Sequence, residues 1–175
     1  MPMKPRDILS SAIFYTGLIA FTLLLVTLGT RYGCGRVPQA FTRMQPRIER
    51  GANLWINKHA CEPADLEYGD IIMFRRPQWK RVSYAYEFAR VLGKPGDMVR
   101  LSHNRLYRAE RRAGKLEAEH EVDERYLNPR DRPADFSALV VPRNTVFVLF
   151  DDRSHREPLR DFLIPVRAIQ GRVVR

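Results

Sequence analysis

The sequence predicts a mainly β domain, a sandwich or barrel, carried behind one N-terminal membrane helix. Three observations predict it. First, Ile8 to Thr30 is a run of 23 residues without a charged side chain, enough at 1.5 Å per residue to cross a hydrocarbon core about 30 Å thick. Second, the remaining chain is a succession of short strand-like runs separated by Gly and Pro turns. Third, one of these units is sharply drawn: an apolar run from Tyr84 to Leu92 is halted by Gly93, Pro95 and Gly96, and Asp97 opens a second run, Met98 to Leu101. Pro95 presets φ for the first central position of a turn and Gly96 supplies φ > 0 at the second, a type II pattern.

The element order follows from this. Residues 1–7 are a short polar lead, 8–30 the transmembrane helix and 31–175 the β domain. A cleavable signal peptide is the competing reading of the N-terminus, because Lys4 and Arg6 make a positive lead. The run is too long for such a peptide's apolar region, and no Ala-x-Ala site follows. Arg31, Arg36, Arg43, Arg47 and Arg50 follow the helix closely, a local count that by itself would keep the β domain in the cytoplasm. A chain of 175 residues has the length of one domain, and enough remains behind the anchor to bury a core. Lys+Arg of 30 against Asp+Glu of 20 gives a net charge of +10, which suits anionic surfaces: lipid headgroups, nucleic acid or an acidic partner. No aromatic-basic interleaving or groove-reading motif supports the nucleic-acid reading.

Further strands are expected at Leu54–Ile56, around Gly69-Asp70-Ile71-Ile72-Met73-Phe74, and in a hairpin with Asn104 between Met98–Leu101 and Arg105–Arg108. Gly114 separates that hairpin from Lys115 to Glu119. Glu117, Glu119, Glu121 and Asp123 alternate along one solvated edge, and 128–135, with Pro129 and Pro133, reads as a loop. Strands return at Ser137–Val141, Thr145–Phe150 and Ala168–Val174. Cys34 and Cys61 could close one disulfide or be two unrelated thiols; their spacing excludes a CxxC motif, and Arg31 argues against a lipoprotein box ending at Cys34. His59, Cys61, His103 and His120 lack the short paired spacings of a zinc site, so neither a metal nor a cofactor is expected. Ser154-His155 beside Asp151 and Asp152 imitates a triad in print, but neighbours in sequence rarely face one another, and a solvated turn is the better reading.

Four boxes in order carry a resemblance. Gly69-Asp70 before a hydrophobic strand, Arg90-Val91-x-Gly93-x-Pro95-Gly96-Asp97, Val141-Pro142 before a strand ending in x-Asp151-x-Arg153, and Ile169-x-Gly171 together resemble the type I signal peptidases, membrane-bound serine proteases with a Ser/Lys dyad. The resemblance covers essentially the whole chain and implies a signal-peptidase-like β domain on the outer, extracytoplasmic face of an inner or plasma membrane, since long domains translocate whatever their local charge.

The chemical residues depart from that pattern. The family's Ser-Met-x-Pro-Thr-Leu aligns without a gap on 43–48, with Met44, Pro46 and Gly51 in place, so the nucleophile position holds Arg43. The lysine base belongs immediately before the Arg of the second box, where this chain has Ala89. In the third box Asp151, Arg153 and Arg160 match, but the supporting serine is Arg156 and the later acidic position is Pro158. The retained residues are expected to hold the loop through an ion pair between Asp151 and an arginine. Arginine stays protonated and can be neither nucleophile nor neutral base, and a methyl group can take no proton.

The chain is therefore expected to be a catalytically inactive homologue, a structural or assembly subunit of a membrane complex that binds a partner protein or an extended peptide by strand addition. Arg43, Met44, Pro46 and Trp55 are the candidate partner-binding residues. The alternative is a membrane-bound signal peptidase with a non-standard pair, Thr42 with Lys58 or Lys94. Against it, a one-residue shift on an extended segment turns Thr42 to the opposite face, and Lys94 sits in a turn with its side chain away from the strand face.

Overall fold

A computed structural model describes residues 5–41, 43–75, 86–103, 105–127, 135–153 and 158–174, with side chains from residue 13 onward. The expected loop at 128–135 lies, apart from its last residue, outside the described residues, as do Asn104, Thr42, Ser154, His155 and Arg156. The first element is helix α1 (Pro5–Arg31). Its segment Ile13–Arg31 is long and apolar enough to cross a membrane and none of it is buried against the β domain. The hydroxyls of Thr16, Thr22, Thr27 and Thr30 each donate to a carbonyl one turn back, at 2.8–3.0 Å. An apolar medium offers no other acceptor, so these polar groups are satisfied within the helix.

The described strands are β1 (Tyr32–Arg36), β2 (Asn53–Asn57), β3 (Ile71–Arg75), β4 (Tyr86–Gly93), β5 (Met98–Ser102), β6 (Arg105–Ala109), β7 (Arg111–Arg112), β8 (Lys115–Leu116), β9 (His120–Glu121), β10 (Phe136–Val140), β11 (Thr145–Leu149), β12 (Leu163–Pro165) and β13 (Ile169–Val173). A seven-stranded sheet runs β1-β2-β13-β3-β4-β11-β12, a four-stranded sheet runs β10-β5-β6-β9, and β7 pairs with β8. Every described pairing is antiparallel.

Strand β11 ties the halves together. Its uninterrupted apolar sequence has no solvent face because successive side chains enter different cores. Val146, Val148 and Phe150 join Phe41, Met44, Phe74 and Phe88 in the larger core. Phe147 and Leu149 join Leu92, Val99, Leu101 and Leu106 in the smaller one.

The turn between β4 and β5 forms as its residues require. Gly96 has φ +89°, and Asp97 gathers three donors: its carboxylate accepts the Lys94 N–H at 2.7 Å, the Tyr68 hydroxyl at 2.9 Å and the Arg111 N–H at 2.9 Å. One buried carboxylate thus closes the turn and binds it to the Tyr68-Gly69-Asp70 segment and to the start of β7. Tyr68 is further flanked by cations, the Arg108 guanidinium carbon 3.6 Å and the Lys94 ammonium 5.0 Å from its ring centroid.

The acidic stretch 117–123 is exposed, as expected of a solvated edge, and arginines of the neighbouring strands use it: Glu119 pairs with Arg100 at 2.6 Å and Glu121 with Arg105 at 2.9 Å. The two thiols are free rather than bridged. Cys34 lies exposed on β1 opposite Trp55, whereas the Cys61 thiol turns in to donate to the Lys58 carbonyl at 3.1 Å.

Candidate functional site

The segment between β1 and β2 folds under the seven-stranded sheet because Phe41, Met44 and Ile48 enter its core. This packing sets Arg43 against β4 and the end of β11. The Arg43 Nη1 atom lies 3.9 Å from Oε1 of Glu87 on β4. Its guanidinium carbon is 4.7 Å from the centroid of the Phe150 ring, a cation–π distance. The Arg43 carbonyl accepts the Asp152 N–H at 2.7 Å. Glu87 is almost completely buried, while the Arg43 side chain keeps 19% of its exposure.

Ala89 lies two residues beyond Glu87 in the regularly paired stretch of β4, on the same face of the pleat, and is 0% exposed. Position 89 thus holds a methyl group sealed in the core. A buried carboxylate, Glu87, opposes Arg43. Glu87 is the residue that reading the sequence missed; its signal is a lone acidic residue inside the apolar run Tyr84 to Leu92.

Behind this site lies a second ionic layer. Arg90 is buried, donates from Nε and Nη2 to the two carboxylate oxygens of Asp151 at 2.9 and 2.5 Å, and donates from Nη1 to the Gly69 carbonyl at 2.9 Å. An arginine that holds Asp151 is therefore Arg90, on β4. Arg153, also buried, makes a two-pronged pair with Glu124, one prong at 3.0 Å. Tyr126 bridges the pairs, its hydroxyl donating to Glu124 at 2.9 Å and its ring 4.0 Å beneath the Arg90 guanidinium. Burial, and then the Glu124 charge, raises the Tyr126 phenol far above its ordinary range. The Arg160 side chain is 75% exposed, and among the described residues its acidic neighbour is the adjacent Asp161 at 3.9 Å.

The other expected site residues divide by burial. Met44 is 0% exposed; it is a core side chain, because the segment must bury an apolar anchor to fold under the sheet, and it is not available to a partner. Pro46, preceded by a cis peptide from Gln45, and Pro158 are exposed. Trp55 is 64% exposed on β2. Of the two lysines considered as bases, Lys94 places its ammonium over Tyr68. Lys58 lies across Gly33, where an added Cβ would fall 2.4 Å from its Cε atom.

Fold and site together define a mainly antiparallel β protein with one N-terminal helix long and apolar enough to cross a membrane, and with Arg43 set against the buried Glu87. Residues 11–174 match the family model described as signal peptidase, peptidase S26, and the chain belongs to that family. Among similar proteins, Signal peptidase I P of Bacillus subtilis subsp. natto is 23% identical over 120 residues, 69% of this chain and 63% of the relative. Signal peptidase I T of Bacillus subtilis (strain 168) is 29% identical over 119 residues, 63% of this chain and 55% of the relative. The match thus spans 55–63% of these relatives' length. A crystal structure of a signal peptidase I from Enterococcus faecalis superposes with a TM-score of 0.47 at 20% identity, covering 62% of this chain and 97% of that one.

Proposed function

We propose that this chain is a non-catalytic member of its family, a structural or assembly subunit of a membrane complex that binds a partner protein. One observation carries the reading: at the aligned nucleophile and base positions stand Arg43, held between Glu87 and Phe150, and Ala89, wholly buried. Peptide hydrolysis by a dyad needs a hydroxyl to attack and a neutral amine to take its proton. A guanidinium permanently charged beside a carboxylate supplies neither. Lys94, whose ammonium lies over the Tyr68 ring, supports the same reading.

The partner would meet the side chains that remain accessible, Arg43, Pro46 and Trp55, with the β domain on the extracytoplasmic face. Two measurements test this. The purified full chain in detergent, given a preprotein that a control signal peptidase cleaves, is expected to leave it intact. Copurification from gently solubilised membranes is expected to yield a stoichiometric membrane partner by mass spectrometry. Cleavage that disappears in Thr42→Val would replace the proposal with the alternative, an enzyme using an unorthodox pair.

A further inference from the structure

Strand β1 is the open edge of the seven-stranded sheet, paired among the described residues with β2 alone. Its hydrogen-bond parity follows from the bonds at either end. The Lys58 N–H donates to the Arg31 carbonyl at 3.0 Å and the Val37 N–H to the Ala52 carbonyl at 2.9 Å. Between them the register runs without a break from Tyr32↔Asn57 to Arg36↔Asn53. In an antiparallel ladder alternate residues direct both backbone groups to the same neighbour. Residues 31, 33, 35 and 37 therefore face β2, and Tyr32, Cys34 and Arg36 direct their N–H and C=O groups outward.

The other described edges are blunted against pairing. β12 is three residues long and ends in Pro165, which has no N–H; β9 has two residues; β10 is irregular between Phe136 and Leu139. β1 is regular, five residues long and free of proline, and its outward groups are symmetric about Cys34.

We infer that β1 pairs antiparallel with β1 of a second copy of this chain, about a two-fold axis through Cys34. In that register Tyr32 meets Arg36 of the second copy, Cys34 meets its counterpart and Arg36 meets Tyr32, giving three hydrogen-bonded pairs; a two-residue slip leaves two. The side chains agree with the register. The Tyr32 ring faces a guanidinium across each strand pair, and the intervening Gly33 and Gly35 offer no bulk. Because β1 begins at the residue after α1, both copies are held in one bilayer with the same orientation. The two-fold axis then runs along the membrane normal, and this edge of the sheet lies parallel to the membrane. The inference does not depend on whether the peptidase site is inactive.

The test uses the full chain in its native membrane. The facing Cys34 Cα atoms of a hydrogen-bonded pair stand about 5.5 Å apart, within disulfide range. Copper-phenanthroline oxidation followed by a non-reducing gel is therefore expected to give a covalent dimer that persists in Cys61→Ser and disappears in Cys34→Ser. The register is read in the doubly substituted Cys34→Ser, Cys61→Ser chain. Tyr32→Cys co-expressed with a differently tagged Arg36→Cys is expected to cross-link, at least several-fold more than Tyr32→Cys or Arg36→Cys with itself. Absence of a Cys34-dependent dimer, or self-pairs that link as readily as the mixed pair, would overturn the proposal.

Discussion

At the scale of single residues, the ionic groups differ in how much rests on them, and burial decides which. Asp151 and Arg90 are a two-pronged pair with almost no exposure. Removing one partner strands the other charge in a low-dielectric interior, a loss that typically costs about 3–5 kcal/mol. Asp151→Ala is therefore expected to lower the unfolding free energy by about that much, measured by urea titration of the detergent-solubilised protein. The exposed pair Arg105–Glu121 sits in water, where ion pairs contribute little. Glu121→Gln is expected to leave the same titration midpoint unchanged.

Arg43 lies between these cases, mostly but not wholly withdrawn from water beside a buried carboxylate. A double-mutant cycle on Arg43→Met and Glu87→Gln is expected to return a favourable coupling, with each single substitution costing more than its share of the double. Coupling near zero would mean that Phe150, and not the carboxylate, holds the guanidinium.

At the scale of elements, Gly171 decides how β13 enters the large sheet. Its φ is +146°, and an added Cβ would fall 2.5 Å from the Asn57 carbonyl and 2.6 Å from an Ile56 side-chain carbon on β2. Gly171→Ala must therefore both strain the backbone and push β2 away, and is expected to cost about 1–3 kcal/mol, read as a fall in melting temperature.

The turn at 93–97 shows the same dependence on one group. Asp97→Ala removes the acceptor for the Lys94 N–H, the Arg111 N–H and the Tyr68 hydroxyl together. Burial, reinforced by Asp97, raises the Tyr68 phenol far above its usual range. In Asp97→Ala the part due to the carboxylate disappears while the part due to burial stays, so an alkaline titration followed at 295 nm should show Tyr68 ionising at a lower pH than in the parent protein.

At the scale of the whole molecule, acid should weaken the fold through its arginine-bound carboxyls. Burial opposes ionisation of Glu110, but hydrogen bonds from Arg108 and Arg112 outweigh it and hold this carboxyl below the ordinary range; the Arg100 hydrogen bond does the same for Glu119. A carboxyl with a depressed folded-state pKa adds stability above its unfolded value, about 4.3, and loses it as pH falls through the folded value. Thermal stability is thus expected to be level above about pH 5 and to fall below about pH 4, with a weaker fall in Arg108→Met, which removes one of the bonds holding Glu110. Membrane attachment belongs to this scale as well: the full chain is expected to resist alkaline carbonate extraction, and deletion of residues 5–30 to release it.

Much of the architecture was legible in the sequence, because a 23-residue uncharged run and Gly/Pro-bounded apolar runs are local signals with local causes. The turn at Pro95-Gly96, the hairpin into β6 and the return strands β10, β11 and β13 follow from which backbone angles and which periods their residues tolerate. The arginine at 43 and the alanine at 89 were readable for the same reason, being properties of single positions.

Tertiary structure alone decided how those positions are used. No local pattern says that Asp151 reaches 61 residues back to Arg90, that Glu87 stands opposite Arg43, or that Met44 is core. Such contacts depend on which strands become neighbours. Pairing in a sheet is set by the summed burial of two faces and not by any one segment.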